Sequence, residues 1–300
     1  LVLNEGTVKD TVGNDATLTL AEPGDANSLG ANKAIIIDNI APVITMVAEG
    51  HINGEDTDYQ ASSTTMSLSW SGSDTLSGII NNEYSLGTTS GGIETISWTS
   101  SSNDTSLSVT NLSLSDATKY YISARATDKA GNTSAVKTGD GITIDLTAPK
   151  AGTANDGLGV DISYTGSSDS LSSNWTGFQD ATSGIIDYKY SVGTTSGGID
   201  IKDWTSNSTD TSITVSGLTL YNAQLYYLSI KASDLVGNIS SVVTTDGVTA
   251  DLIGPTAGSV IDGLNADAEW INTDTIRASW TGFNDPLSGI KKYQYGIGKA

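Results

Sequence analysis

The residues best suited to chemistry in this 300-residue chain are aspartates that recur in similar surroundings. They stand near Gly, Asn and Ser in turn-like segments and form three sets: Asp38, Asp145 and Asp251; Asp74, Asp180 and Asp285; Asp128 and Asp234. Carboxylate oxygens are preferred ligands of Ca²⁺. The same residue type also begins turns by bonding its own backbone. Two interpretations therefore remain open, namely calcium binding and turn formation alone.

A long internal repeat positions these aspartates. Trp175-Thr176-Gly177-Phe178 recurs 105 residues later as Trp280-Thr281-Gly282-Phe283, and 105 residues earlier, with its aromatic lost, as Trp70-Ser71-Gly72-Ser73. A Ser-Gly-Ile tripeptide follows each motif, at residues 77–79, 183–185 and 288–290. Because a period this long corresponds to a whole domain, the chain is predicted to be a tandem array of similar small domains.

Within each repeat the apolar residues alternate with polar ones. Met66, Leu68 and Trp70 share one parity, and Ile276, Ala278 and Trp280 repeat the pattern. Such alternation predicts strands with one buried face, and the Gly- and Ser-rich breaks between them predict turns. Seven short strands per repeat make an all-β, antiparallel β-sandwich.

The order of these segments resembles that of a known family. A strand ending in Trp, a corner at Asn111-Leu112 or Gly217-Leu218, and a Tyr-initiated strand at 120–126 or 226–232 are similar to fibronectin type III and related bacterial immunoglobulin-like repeats. The resemblance covers residues 38 to 300 and implies tandem β-sandwich domains of a large bacterial cell-surface or secreted protein. It also implies that Tyr120 and Tyr226 are tyrosine-corner residues, and that Trp70, Trp175 and Trp280 lie in the core.

Proline-containing linkers divide the array. They lie at residues 38–42, 145–149 and 251–255. The predicted domains are 1–37, the C-terminal part of a preceding immunoglobulin-like domain with an extra loop at 23–30; 38–144 and 145–250, two complete repeats; and 251–300, the N-terminal part of a third, truncated repeat.

In this fold the incoming linker and two loops meet at one pole of the sandwich. The resemblance therefore implies that Asp38, Asp74 and Asp128 gather in the first complete repeat. It implies the same for Asp145, Asp180 and Asp234 in the second, and it places Asp251 and Asp285 in the third. Three carboxylates repel one another unless a cation neutralises them, so calcium at the domain junctions is the expected cofactor.

A second acidic group follows the first strand of each repeat. Its members are Glu55, Asp56 and Asp58, then Asp156 and Asp161, then Asp262 and Asp267. One interpretation is that the group faces the next linker across the joint and shares an ion there. The other is that these are solvated acidic loops.

Four aromatic residues allow a further hypothesis. Trp98 and Trp204, with Tyr121 and Tyr227, could line a sugar-stacking face. Packing at the edge of the sheet is the alternative interpretation.

Composition restricts the partners. The chain has 34 acidic and 14 basic side chains, a net charge of −20, which disfavours nucleic acid and favours cations. No apolar run approaches the roughly 20 residues of a membrane helix, so no membrane insertion is predicted in this segment.

Catalytic motifs are missing from the sequence. There is no cysteine, and the one histidine, His51, has no histidine counterpart in the other repeats. A glycosidase with paired carboxylates would need a general acid of raised pKa, which turn positions seldom provide. We therefore predict that the chain is not an enzyme.

These observations predict a non-enzymatic extracellular or cell-surface structural protein. It would form a stalk or structural segment of a bacterial surface adhesin or filament, with neighbouring repeats of the same chain as its partners. One alternative is a fibre subunit that joins other copies of itself head to tail by strand complementation. The other is an accessory module, carbohydrate-binding or spacer, of a secreted polysaccharide-degrading enzyme.

Overall fold

The computed structural model describes residues 9–16, 22, 24–26, 28, 31, 36–50, 55–264 and 266–298. Most of the predicted preceding domain, including half of its 23–30 loop, and His51 lie outside the described residues. In the described part of the chain, no helix is long and apolar enough to cross a membrane.

The first complete repeat contains nine strands. They are β1 Val43–Glu49, β2 Tyr59–Gln60, β3 Met66–Ser73, β4 Ile79–Gly87, β5 Ile96–Ser102, β6 Ser106–Val109, β7 Lys119–Asp128, β8 Lys137–Thr138 and β9 Ile142–Ile144. One sheet has the order β1-β3-β6, and the other has the order β2-β9-β7-β4-β5, with β8 also paired to β7. Neighbouring strands are antiparallel except for β2 and β9, which are parallel.

The second complete repeat has the same topology. Its strands are β10 Thr153–Asp156, β11 Tyr164–Thr165, β12 Ser170–Thr176, β13 Ile185–Gly193, β14 Lys202–Ser206, β15 Ser212–Ser216, β16 Leu225–Asp234, β17 Val243–Thr244 and β18 Val248–Ala250. The sheets follow the orders β10-β12-β15 and β11-β18-β16-β13-β14, with β17 on β16. A pair of strands, β19 Ser259–Asp262 and β20 Ala278–Thr281, follows in the third unit.

Each complete repeat has its own hydrophobic core. The alternating residues of β3 and β12 turn one face toward the opposite sheet, which buries Trp70 and Trp175 to 2% and 3% exposure. Each of these rings packs on a tyrosine of the facing sheet, Tyr84 at 5.9 Å and Tyr188 at 5.7 Å between centroids. Burial of such large aromatic surfaces supplies much of the stability of a small sandwich.

Trp280 departs from the prediction that it lies in the core. It is 40% exposed and packs beside Tyr293 and Tyr295. The physical reason is that the described residues of the third unit form one two-stranded sheet, so no second sheet covers the ring.

Both complete repeats contain the corner that the resemblance implies. The hydroxyl oxygen of Tyr120 accepts a hydrogen bond from the backbone N–H of Ser115 at 3.0 Å. The hydroxyl oxygen of Tyr226 accepts one from the backbone N–H of Tyr221 at 2.8 Å. The first tyrosine of each Tyr-Tyr pair therefore fixes the loop that enters β7 or β16.

Candidate carboxylate sites

The recurring aspartates of each complete repeat lie together at one pole. Carboxylate oxygens of Asp38, Asp74 and Asp128 lie within 4.8 Å of one another, and so do those of Asp145, Asp180 and Asp234. The topology explains the grouping, because in each repeat the linker, the loop after the Trp-containing strand and the end of the long strand β7 or β16 reach the same end of the sandwich.

The aspartate that follows the Trp-containing strand organises its own loop. The Oδ1 atom of Asp180 accepts hydrogen bonds from the backbone N–H groups of Thr182, Ser183 and Gly184 at 2.8–3.1 Å. In the first repeat, Oδ2 of Asp74 accepts from Leu76 and Gly78. Each side chain thus has a turn-forming role through one oxygen and presents the other oxygen separately.

The aspartate that ends the long strand is held by an asparagine four residues later. Asn238 donates its backbone N–H to Oδ1 of Asp234 and its side-chain amide to Oδ2, both at 2.8 Å. Asp128 and Asn132 have the same arrangement. Burial raises the pKa of Asp128, but the hydrogen bonds from Asn132 outweigh it and hold the pKa below its usual value.

The linker aspartate contacts the repeats on both sides. The N–H of Asp145 donates to the carbonyl oxygen of Gln60 in β2 at 2.9 Å, while its buried carboxylate accepts a hydrogen bond from the hydroxyl of Ser183. Asn238 also donates to the carbonyl oxygens of Asp145 and Thr147. The linker is therefore hydrogen-bonded to the repeat before it and to the repeat after it.

Serine and asparagine were not singled out by the sequence as parts of the pole. Ser77 donates its backbone N–H to Oδ2 of Asp38, and hydrogen bonds from Ser288 lower the pKa of Asp251. The signal that could have found these residues is their recurrence, since a serine begins each Ser-Gly-Ile tripeptide.

The predicted residues of the third unit are only partly brought together. Asp285 accepts hydrogen bonds from Leu287, Ser288 and Gly289, as Asp180 does in its own loop. Asp251 and Asp285 do not belong to a group of three carboxylates among the described residues.

The second acidic group has a different composition from the predicted one. The carboxylates that meet are those of Glu49, Asp56 and Asp140, and those of Asp156, Asp161 and Asp246. Glu55 and Asp58 are not members, while Glu49, Asp140 and Asp246 were not expected. The third member precedes the last strand of the same repeat and is not a linker residue, which corrects the expectation of a site that spans the joint. Asp262 and Asp267 form the corresponding pair in the third unit, with Asp262 N–H donating to Asp267.

Glu49 and Asp156 are the most buried members of this second group, at 0% exposure. Burial raises the pKa of Glu49 to about 7, against a hydrogen bond from Ile122, and nearby Asp56 and Asp140 raise it further. Burial likewise raises the pKa of Asp156 to about 6, against hydrogen bonds from the side chain of Thr245 and the N–H of Gly247. Burial and the neighbouring carboxylates destabilise the charged form of both groups unless a positive charge lies nearby.

The two repeats share one strand order, and in each the tyrosine hydroxyl accepts a hydrogen bond at the corner; together these features establish the fold. The two complete repeats are β-sandwiches in tandem, and their strand order and tyrosine corner resemble those of fibronectin type III and immunoglobulin-like domains. No protein-family model matches the sequence.

Known proteins resemble these fibronectin-like repeats at low identity. Exoglucanase B of Cellulomonas fimi is 28% identical over 226 residues, which cover 66% of this chain and only 19% of that protein. Among solved structures, the FN1–FN3 domains of chicken CNTN1 match with a TM-score of 0.36 and 13% identity, over 68% of this chain and 67% of theirs. A multidomain segment of titin matches with a TM-score of 0.40 and 16% identity, over 70% and 68%.

The two tryptophans suggested for sugar stacking each contact a cationic side chain of their own repeat. The guanidinium of Arg125 lies 4.4 Å from the centroid of the Trp98 ring, and the ammonium of Lys231 lies 4.2 Å from that of Trp204. Two surface cavities of about 400 and 440 Å³ are lined by other residues. One ring face of each tryptophan is thus covered by a cation, which favours packing at the sheet edge.

Proposed function

We propose that this chain is a non-enzymatic extracellular spacer, in which calcium at the domain junctions holds consecutive β-sandwich repeats in a fixed orientation. The observation that carries the proposal is the position of Asp145. Its N–H donates a hydrogen bond to the preceding repeat, and its carboxylate accepts one from the following repeat. The residue therefore restricts the relative motion of the two repeats at this joint.

Further hydrogen bonds restrict the motion of the linker at both joints. Leu146 N–H donates to the carboxylate of Asp116 at 2.7 Å, and Leu252 N–H donates to the side-chain oxygen of Asn222 at 2.8 Å. Those acceptors belong to the preceding repeat at each joint. Linkers between independent domains are usually mobile, so this degree of bonding supports a structural role.

The carboxylates of the pole supply the hard oxygen ligands that Ca²⁺ requires. Asp145 and Asp234 are buried, and the described part of the second pole contains no ion pair that would neutralise them. In the first pole, Oδ1 of Asp74 is buried without a hydrogen-bond partner. A calcium ion at each pole would balance the repulsion, and in the first pole it would bind this unpartnered oxygen.

The parent protein is the second part of the proposal. A stalk in a bacterial surface adhesin or filament fits a disulfide-free array of this kind. The similarity to Exoglucanase B favours a second candidate, a spacer between the modules of a secreted polysaccharide-degrading enzyme. Both assignments place the chain outside the cell and give it the same mechanical task, to separate functional modules by a set distance.

The test is thermal unfolding of the whole chain in calcium and in excess chelator. We expect calcium to raise the unfolding temperature of the second repeat, because a ligand that binds only the folded state stabilises that state. At a calcium concentration one hundred times the Kd, the free energy of unfolding should rise by about 2.7 kcal/mol. Asp180→Ala should reduce this increment, whereas Asp210→Asn, which removes an exposed carboxylate elsewhere in the same repeat, should preserve it. Equal unfolding midpoints in calcium and in chelator would mean that the aspartates form turns without binding calcium, and would contradict the proposal.

A further inference from the structure

Two buried carboxylate oxygens in the second acidic group have no partner. In Glu49, Oε1 accepts a hydrogen bond from the backbone N–H of Ile122 at 3.2 Å, but Oε2 is buried and unbonded. In Asp156, Oδ2 accepts from Gly247 N–H at 3.0 Å, but Oδ1 is buried and unbonded. A buried acceptor without a partner costs roughly 1–3 kcal/mol, and more when it is charged.

The neighbours of these oxygens add negative charge. Asp56 and Asp140 lie with Glu49, and Asp161 and Asp246 lie with Asp156, each set within 4.8 Å. In the described part of the chain the ion pairs are Lys9 with Asp15 and Arg125 with Glu83, so no basic side chain pairs with either set. The charge has to be balanced by something other than the protein's own cations.

The second acidic residue of each set is held in place. Glu49 N–H donates to Oδ1 of Asp56, and Asp156 N–H donates to Oδ1 of Asp161, both at 2.8 Å. This bond fixes one carboxylate beside the unpartnered oxygen of the other. Asp140 and Asp246 are exposed, so the third side of each set is open to water and to ions.

The two repeats reach this arrangement with different residues. A Cβ atom at Gly139 would lie 2.3 Å from the carboxylate oxygens of Glu49, so the glycine makes room for the long side chain. The second repeat has the shorter Asp156, and Thr245 stands where the first has glycine. The hydroxyl of Thr245 accepts from Leu228 N–H at 3.2 Å, the bond that Glu49 makes to Ile122. In each repeat, one buried carboxylate oxygen still has no hydrogen-bond partner.

We infer that each complete repeat holds a second divalent cation, bound by Glu49, Asp56 and Asp140 in the first repeat and by Asp156, Asp161 and Asp246 in the second. The all-oxygen donor set suits a hard cation such as Ca²⁺, with water completing the coordination. This site ties the end of the first strand to the segment before the last strand, within one sandwich. It is independent of the junction poles and does not rest on the proposed function.

Calcium titration calorimetry on the whole chain tests the inference. Relative to the unmodified chain, the double variant Glu49→Gln with Asp156→Asn should lose one bound Ca²⁺ per complete repeat. The variant Asp74→Asn with Asp180→Asn should retain these ions and lose only those of the poles. The matched control, Asp104→Asn with Asp210→Asn, removes exposed carboxylates at equivalent places in both repeats and should leave the stoichiometry unchanged.

A proton shared between carboxyl groups is the competing explanation. It predicts that Glu49→Gln with Asp156→Asn binds as much calcium as the unmodified chain, and this result would overturn the inference. Because substitution of a buried residue can impair folding, Asp140→Asn with Asp246→Asn gives a second, exposed variant. Unchanged affinity and stoichiometry in that folded variant would also contradict the site, whereas at least a tenfold loss of affinity is expected.

Discussion

The hydroxyl of Ser183 donates a hydrogen bond to the carboxylate of Asp145, which lies 38 residues earlier in the chain. This bond joins the linker to the loop that follows the Trp-containing strand. It gives the repeated Ser-Gly-Ile tripeptide a physical role, since the serine receives the incoming linker and the positive-φ glycine turns the chain into the next strand.

Removal of that hydroxyl should weaken the second repeat. Ser183→Ala leaves a buried carboxylate with one donor fewer, and a hydrogen bond to a charged group contributes about 1.5–3 kcal/mol. We expect a loss of this size in the free energy of unfolding, measured by chemical denaturation. Ser216→Ala, at an exposed position in β15, is the control and should change stability by less than about 0.5 kcal/mol. Equal effects of the two substitutions would show that the Ser183 bond is not formed.

The tyrosine corner predicts a difference between two adjacent residues. Tyr226→Phe removes the acceptor of Tyr221 N–H and should cost about 1–2 kcal/mol. Tyr227→Phe, at the half-buried neighbour, should be close to neutral. Urea denaturation of both variants measures this difference, and a larger loss for Tyr227→Phe would contradict the corner assignment.

Much of the fold could be predicted from periodicity, because the side chains of Met66, Leu68 and Trp70 alternate with the pleat of a strand. The pole aspartates could be placed only through the fold resemblance, since their meeting depends on topology. Glu49 could not be found at all, because it ends an apolar strand and its partner Ile122 is 73 residues away. Burial of Trp280 was mispredicted because it depends on a facing sheet that sequence alternation does not report.

Without calcium, stability should fall as the pH rises from about 5 to 8. The folded-state pKa of Glu49 is raised from 4.5 to about 7 and that of Asp156 from 3.8 to about 6, so the protonated forms favour the folded state. Their contribution is complete below the unfolded values and is lost as the pH passes through the folded values. The negative charges of Asp56 and Asp140, which face Glu49, and of Asp161 and Asp246, which face Asp156, raise the pKa of these two buried groups further.

Denaturation in chelator at several pH values measures this slope. The variant Glu49→Gln with Asp156→Asn should flatten it, and saturating calcium should reduce it in the unmodified chain. A stability that rises over this pH range in the chelated, unmodified chain would contradict the assignment of buried, unpartnered carboxylates.

Glycan binding through Trp204 is not expected, because Lys231 lies over its ring. Affinity electrophoresis of the chain in gels that contain soluble polysaccharides should show no retardation. Retardation that Trp204→Ala abolishes, and that Trp175→Phe in the core does not, would restore the carbohydrate-binding interpretation.

Residual dipolar couplings test the central claim most directly, since they report the orientation of the two complete repeats in the same calcium-loaded chain. If the junction at Asp145 fixes the repeats, their alignment tensors will agree in magnitude and orientation, and Asp145→Ala will make them diverge. Tensors of different magnitude in the unmodified, calcium-loaded chain would mean that the repeats move independently, and the rigid-spacer account would be wrong.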